Sequence, residues 1–336
     1  MAQLTPYQLS EFEDQGYLVV PGLFDPAREF AAVFRDYEAV LDGLLEDLRA
    51  VGEIPSTWRD LDFAERVIRL HRETGKIYHQ YFDFAVPPRA GLPPDTPMCL
   101  SPAIFALISH PGLLDAVESA IGPEITSNPV QHVRIKPPQD ALSFRSSGHL
   151  DDSLGVPTGT GLVGRTPWHQ DNGVVTADAD ATDLLTVWFP LTDATVEQGC
   201  LAVIPGSHRG GLLTHCPDKV GELSIASRLI DEAQALPLPM AAGDVLFLHR
   251  RTCHSSLPNT SDTVRWSFDL RYHPTGQASG REWLPGCVVR SRSDPDSELH
   301  DAARWARAWV ETRDTLARTS SLPPANRWSA DAAECA

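Results

Sequence analysis

Apolar residues near the N-terminus recur every three or four positions, which is the spacing of amphipathic helices. A first helix is predicted from Pro6, because Thr5 can cap it and Gln8 can bond back to that cap. A short strand follows in the segment GYLVVPGLF and ends at Pro21-Gly22. A second helix opens after Asp25, and its apolar positions are Phe30, Val33, Phe34, Tyr37, Val40, Leu41, Leu44 and Leu48. With further helices predicted over 60–72 and 102–121, residues 1–125 are expected to be mainly helical.

From about Val130 the hydrophobic period changes to two. The alternating segments are short and bounded by Gly, Pro, Asn or Asp: QHVRIK, LLTVWFPL, CLAVIP, GDVLFL and VRWSFDLRYH. Such strands, without helix-length segments between them, predict an all-β sandwich, barrel or jelly roll with flanking helices. We expect one domain over 1–320, with the β core at 126–295 and a terminal helix within 296–320, followed by a frayed tail at 321–336.

The composition is that of a globular, acidic protein, with 42% hydrophobic residues, 22% charged residues and a formal net charge of −17. Such a charge repels nucleic acid and anionic lipid, so we expect a small-molecule partner and neither nucleic acid nor membrane. The N-terminus lacks the basic-then-apolar pattern of a secretory signal, which predicts a cytoplasmic protein. The six cysteines include no C-x-x-C pair and are predicted to be reduced thiols.

The segment TPWHQDNG places His169 and Asp171 two residues apart at the edge of a predicted strand. Their side chains therefore point to the same face and can hold one metal ion. A distant histidine would complete the 2-His-1-carboxylate arrangement of non-haem Fe(II) oxygenases, which leaves positions open for other ligands. The candidates for this third ligand are His208, His215, His249, His254 and His273.

Among these candidates, His254 lies at the end of a predicted strand, and Arg265 follows it by eleven residues on the next strand. A hairpin would return Arg265 alongside His254. Its guanidinium could then hold the far carboxylate of a dicarboxylic acid whose other end chelates the metal.

Together these motifs resemble the phytanoyl-CoA dioxygenase family of Fe(II)/2-oxoglutarate oxygenases. The similarity runs from about Leu4 to His273 and includes the opening LTPYQLSEFEDQGYLVVPGLFD, the H-x-D pair, GCLAVIPGSHRGG and AGDVLFLHRRTCHSS. The resemblance implies a double-stranded β-helix, that is, a cupin-like jelly roll. It also implies Fe(II), the cosubstrate 2-oxoglutarate and O2, with hydroxylation of a small natural product or carboxylic acid and release of succinate and CO2.

Carried to this chain, the resemblance implies that His169, Asp171 and His254 bind the iron and that Arg265 binds the 5-carboxylate of 2-oxoglutarate. The nearest matches to three further groups that approach the cosubstrate in the family are Ser256, Trp188 and Lys136.

Two predicted strands carry basic residues on one face, and these supply candidate substrate contacts. His132, Arg134 and Lys136 alternate along QHVRIK, while Arg265 and Arg271 share a face of VRWSFDLRYH. If both faces line a jelly-roll cavity, an anionic substrate could contact His132, Arg134 or Arg271. The alternatives are a solvent-exposed polar face and, for Arg271, a pairing with Asp269.

Two other functions fit part of the pattern. A cupin-like Zn-dependent hydrolase or isomerase could use the same three ligands but would leave Arg265 without a purpose. A non-catalytic jelly-roll binding protein is the other alternative.

The Gly-rich segment 143–165 precedes the H-x-D pair and is expected to be either a lid over the metal or an inert loop.

Overall fold

The structure is a computed structural model that describes residues 3–141, 164–218, 222–323 and 326–335. The predicted lid lies outside these ranges except for Gly164 and Arg165. The helices are α1 (Pro6–Gln15), α2 (Pro26–Glu29), α3 (Ala31–Ala50), α4 (Phe63–Thr74), α5 (His79–Phe82), α6 (Pro102–Ile108), α7 (Pro111–Ile121) and α8 (Ala302–Arg318).

The strands are β1 (Tyr17–Val20), β2 (Glu124–Ser127), β3 (His132–Lys136), β4 (Leu185–Pro190), β5 (Leu201–Val203), β6 (His215–Pro217), β7 (Leu223–Ile225), β8 (Leu236–Leu238), β9 (Val245–His249), β10 (His254–Ser256), β11 (Arg265–Pro274) and β12 (Cys287–Ser291). A large antiparallel sheet has the order β1-β9-β4-β11-β2-β12, and β3 also pairs with β11. Smaller sheets have the order β10-β5-β8 and the pairing β6-β7. The predicted all-β core with flanking helices is confirmed.

The large sheet is covered on both faces. Its helix side packs into the main hydrophobic core, where Val133 and Phe268 meet Tyr37 and Trp309. On its other side Trp188 and Leu246 join the cluster that contains residues of β5 and β8. The polar residues of β11 lie between the sheets and are buried, namely Arg265, Ser267, Asp269 and Arg271. The solvent-exposed alternative for this face is therefore wrong.

The helices follow the predicted start signals. At α1 the amide of Gln8 donates to the Thr5 hydroxyl, and the amide of Thr5 donates to the Gln8 side chain, so the expected capping box is confirmed. The stretch 102–121 is apolar and long enough by composition to span a bilayer. It forms α6 and α7, because His110 caps α7 and Pro111 occupies its first position, and both helices bury residues in the core.

The C-terminal segment is bound to the domain, so the prediction of a frayed tail is wrong for the described residues. Arg327 donates to the carbonyl of Asn172, and the Trp328 indole donates to that of Gly173. Cys335 forms a disulfide with Cys216, across 119 residues of sequence. The prediction of reduced thiols is therefore wrong for this pair, whereas the free cysteines are Cys99, Cys200, Cys253 and Cys287. Local patterning cannot reveal such a pairing, because the two partners meet only in the folded chain.

Candidate metal centre

The two histidines of the predicted triad are neighbours because their backbones pair. The amide of His169 donates to the His254 carbonyl at 2.9 Å, and the amide of His254 donates to the His169 carbonyl at 3.0 Å. His254 is the first residue of β10, while His169 precedes a short 3-10 turn, Asp171–Val174, called here the Asp171 turn. The imidazole centroids are consequently 4.1 Å apart.

Both imidazoles present the same nitrogen to the centre of the site. Nδ1 of His169 lies 2.9 Å from the Pro167 carbonyl oxygen, and Nδ1 of His254 lies 3.0 Å from that of Thr252. A carbonyl oxygen only accepts, so each Nδ1 carries the proton and leaves the Nε2 lone pair for a metal. His254 Nε2 lies 3.9 Å from Asp171 Oδ2. Candidate ligand atoms of His169, Asp171 and His254 all lie within 4.8 Å of one another, a donor set that fits Fe(II).

Asp171 is fully buried, and both of its oxygens are hydrogen-bonded. Oδ1 accepts from Nε of Arg271 at 3.1 Å and from its Nη2, while Oδ2 accepts from the Thr186 hydroxyl. Burial raises the pKa of Asp171, but Arg271 and the two histidines lower it more, so the pKa lies below its ordinary value. Burial, followed by His254, lowers the pKa of His169 well below its ordinary value. An ionised carboxylate and a neutral imidazole are the states that metal binding requires.

Arg271 pairs with Asp269, as the sequence suggested, and has a second and closer acidic partner that the sequence did not suggest. Its guanidinium is buried, donates to Asp171 and reaches the Val130 carbonyl at 2.7 Å, with Asp269 further away at 3.6 Å. The structure therefore pairs Arg271 with Asp171, and a contact between Arg271 and the substrate stays a prediction. Thr186 was missed, although the alternation along β4 places it on the same face as Trp188.

The cavity beside the two histidines contains a buried guanidinium with unused donors. Arg265 lines this cavity together with Trp188, Ser256 and Arg134. Its Nη1 donates to Ser267 at 2.9 Å, whereas Nε and Nη2 have no hydrogen-bond partner among the described residues. Burial, and then the charge of Arg134, lower the pKa of Arg265 to about 9. A carboxylate in the cavity would satisfy these donors and balance the charge.

Trp188, Ser256 and Lys136 surround Arg265. The Arg265 Cζ lies 5.4 Å from the centroid of the Trp188 ring. Lys136 donates to the Ser256 hydroxyl at 2.7 Å and to the Leu257 carbonyl at 2.8 Å. Because Ser256 Oγ also accepts from the Thr166 amide, its own proton remains for donation to a ligand. Burial, then the charges of Arg265 and Arg134, lower the pKa of Lys136 well below its ordinary value.

The two remaining predicted substrate residues lie on β3. Arg134 lines the cavity and donates to Asp269 at 3.5 Å. His132 is paired in register with Asp269 but bonds through Nδ1 to Asp83 Oδ2 at 2.7 Å. The same oxygen contacts Nε2 of His79 at 3.1 Å. These are hydrogen-bond lengths, so we interpret His79, Asp83 and His132 as a hydrogen-bonded array. No local signal in the sequence pointed to Asp83.

A sequence model of the family described as "Phytanoyl-CoA dioxygenase (PhyH)" matches residues 12–267. This match includes all three candidate ligands and Arg265. The chain belongs to the phytanoyl-CoA dioxygenase family. The resemblance inferred from the motifs is thereby confirmed.

Relatives of this phytanoyl-CoA dioxygenase family member match it over most of its length or over a part of it. The phytanoyl-CoA dioxygenase domain-containing protein 1 of Bos taurus is 26% identical over 307 residues, which cover 85% of this chain and 94% of the relative. The 1-deoxypentalenic acid 11-beta-hydroxylase of Streptomyces arenae is 34% identical over 125 residues, covering 34% of this chain and 43% of the relative.

Among solved structures, the non-heme monooxygenase ThoJ in its apo form has a TM-score of 0.55 at 22% identity, over 92% of this chain and 97% of that chain. This likeness supports the predicted jelly-roll fold of the phytanoyl-CoA dioxygenase family member.

Proposed function

We propose that this protein is an Fe(II)/2-oxoglutarate-dependent oxygenase that hydroxylates a small natural product or carboxylic acid. The observation that carries the proposal is a buried His-Asp-His triad whose two histidines line one cavity with a buried, incompletely bonded Arg265. The triad alone also suits Zn(II) hydrolysis or isomerisation. Arg265 favours the oxygenase, because a dicarboxylate that chelates the metal at one end needs a cationic partner for the carboxylate at its other end.

The residues have distinct roles in this proposal. His169, Asp171 and His254 hold the iron through Nε2, a carboxylate oxygen and Nε2. Arg265 binds the 5-carboxylate of 2-oxoglutarate with its unused donors, and the Ser256 hydroxyl, kept in place by Lys136, donates to the same group. Trp188 packs against the guanidinium and limits water around it. When bound, the iron and 2-oxoglutarate supply the oxidising chemistry, which consumes O2 and releases succinate and CO2.

The primary substrate is proposed to approach from the side of Arg134 and His132. The Arg134 side chain is 12% exposed, lines the cavity and forms an ion pair with Asp269 at 3.5 Å, so it adds positive charge on the side from which an anionic substrate would approach. The buried carboxylate of Asp83 holds His132 in one orientation. The relative named as a hydroxylase of 1-deoxypentalenic acid supports a small carboxylic acid as the substrate class.

The direct test is reconstitution of the metal-free protein under anaerobic conditions with Fe(II), Mn(II) or Zn(II), followed by addition of 2-oxoglutarate and O2. We expect succinate formation with Fe(II) and none with Zn(II). A panel of carboxylic acids, terpenoid and polyketide natural products and acyl thioesters then identifies the substrate by accelerated O2 uptake. Hydrolysis or isomerisation by the Zn(II) form, without succinate from the Fe(II) form, would overturn the proposal.

The cosubstrate site has its own prediction. Arg265→Lys keeps the charge but loses the planar fork, so we expect the KM for 2-oxoglutarate to rise about 5- to 150-fold, the equivalent of ~1–3 kcal/mol. Arg134→Lys is the matched control in the same cavity and should leave this KM unchanged. The opposite result, with only Arg134→Lys raising it, would move the carboxylate site to Arg134.

A further inference from the structure

We infer that residues 326–335, called here the strap, position the Asp171 turn and thereby set the metal affinity of the site. The inference rests on the proposed metal site, but the strap contacts no proposed ligand directly. It bonds instead to the two residues that follow Asp171, contacts the histidine that bonds to the residue before it, and is held at its far end by a disulfide.

The first route is a pair of hydrogen bonds to the backbone of the turn. Arg327 Nη2 donates to the Asn172 carbonyl at 2.6 Å, and Trp328 Nε1 donates to the Gly173 carbonyl at 2.6 Å. Arg327 also forms an ion pair with Asp180 at 2.5 Å. Carbonyls at the end of a short helical turn lack partners within the turn, so donors from outside restrict its position.

The second route passes through His215. The Trp328 ring stacks on His215 with centroids 5.3 Å apart. His215 Nδ1 lies 2.9 Å from the Leu213 carbonyl, so it carries the proton and Nε2 accepts the Gln170 amide at 3.0 Å. A Cβ on Gly173 would lie 2.1 Å from the His215 ring. The imidazole is therefore wedged between the indole and the turn, and it bonds to the residue immediately before Asp171.

The third route is covalent and holds the far end of the strap. Cys335 is joined to Cys216, the residue that follows His215 in β6. Arg228 adds a hydrogen bond from Nη2 to the Ala333 carbonyl at 2.6 Å. The strap is thus attached beside His215 at one end and bonded to Asn172 and Gly173 at the other. These contacts restrict the backbone on which Asp171 lies.

By holding the Asp171 turn in place, the strap should raise the affinity of the site for a metal ion. A metal site binds tightly when its ligands are held in place before the ion arrives, and loss of outer partners typically weakens affinity about 10- to 100-fold. The contacts of the strap lie one residue from the ligand. We therefore expect an effect near the lower end of that range, on affinity and not on the identity of the ligands.

The experiment uses the full chain with Trp328→Ala and Arg327→Ala, and with Arg292→Ala as the control. Arg292 also forms an ion pair, with Glu118, on the surface. Anaerobic titration with Mn(II) should give a dissociation constant about tenfold weaker for both strap variants and an unchanged constant for the control. Hydrogen exchange of the metal-free proteins should be faster in a peptide covering 168–175, with α8 unaffected.

The two measurements separate the possible failures. If the wild type binds no metal but exchange in 168–175 rises in the strap variants, the proposed function fails while the positioning of the turn stands. If exchange in 168–175 and the Mn(II) constant are both unchanged in Trp328→Ala and Arg327→Ala, the inference about the strap is wrong. Faster exchange throughout the chain would equally overturn it, since the strap would then support the whole fold.

Discussion

At the scale of single residues, Arg271 shows how a buried cation prepares a metal ligand. Its guanidinium contacts Asp171 Oδ1 through two nitrogens, so Oδ2 is turned toward His254. Substitution leaves a buried carboxylate without its counter-charge, which typically costs about 3–5 kcal/mol.

We therefore predict that Arg271→Gln lowers the free energy of unfolding of the metal-free protein by about 3–5 kcal/mol, measured by urea denaturation. Added Mn(II) should restore more stability in the variant than in the wild type, because the cation replaces the missing charge. Arg49→Gln is the control, since Arg49 and its partner Glu46 are both exposed and such pairs contribute about 1 kcal/mol or less. Equal losses in both variants would contradict the assignment.

Asp83 provides a prediction on pH. Burial raises its pKa, but His132 and His79 lower it more, so the pKa of Asp83 lies below its ordinary value. Its stabilising contribution is complete above the unfolded pKa of about 3.9 and is lost as the pH falls toward the folded value. We expect Asp83→Asn to unfold with a weaker dependence on pH below about pH 4 than the wild type. Identical slopes of the free energy of unfolding against pH would show that Asp83 does not contribute in this way.

At the scale of elements, Lys136 joins the two sheets that enclose the cavity. It is the last residue of β3 in the large sheet, and its ammonium reaches Ser256 at the end of β10 in the smaller sheet. Arg265, directly opposite Lys136 in register, is held at the same level of the cavity.

We predict that Lys136→Met lowers the free energy of unfolding by about 1–3 kcal/mol, because the Leu257 carbonyl and the Ser256 hydroxyl lose a buried partner. A double-mutant cycle with Ser256→Ala measures the coupling between the sheets. Neighbours that share a hydrogen bond should give a coupling of about 0.5–3 kcal/mol. Strict additivity of the two substitutions would mean that this link adds nothing.

At the scale of the whole molecule, the disulfide connects the strap to β6 across 119 residues. Closure of so long a loop restricts the unfolded chain, and removal of such a cross-link typically costs about 2–4 kcal/mol. We predict this loss of stability for Cys335→Ser and no comparable loss for Cys287→Ser, whose thiol is free. Peptide mapping without reductant should recover Cys216 joined to Cys335; alkylation of both thiols in the native protein would disprove the pairing.

Much of the fold was accessible from local patterns because those patterns reflect local physics. Capping residues satisfy the first amides of a helix, so the start of α1 was predictable from Thr5 and Gln8. Alternation along β3 and β11 placed the basic residues on one face, and the motif spacing singled out His169, Asp171, His254 and Arg265. The single helix predicted over 102–121 is two helices in the structure, α6 and α7. The break between them was missed because hydrophobic periodicity locates the middle of a helix better than its ends.

Sequence by itself thus determined the main helices, the strands β1, β3, β4, β5, β9 and β11, and which strand faces carry charge. Only the tertiary structure decided which partners those charges meet. Arg271 bonds to Asp171, His132 to Asp83 and the strap to Asn172, and each contact joins segments distant along the chain. The periodicity of a strand specifies the face of a side chain but not the element that covers this face. That choice depends on how the whole chain packs, and it made a predicted substrate contact part of the candidate metal centre.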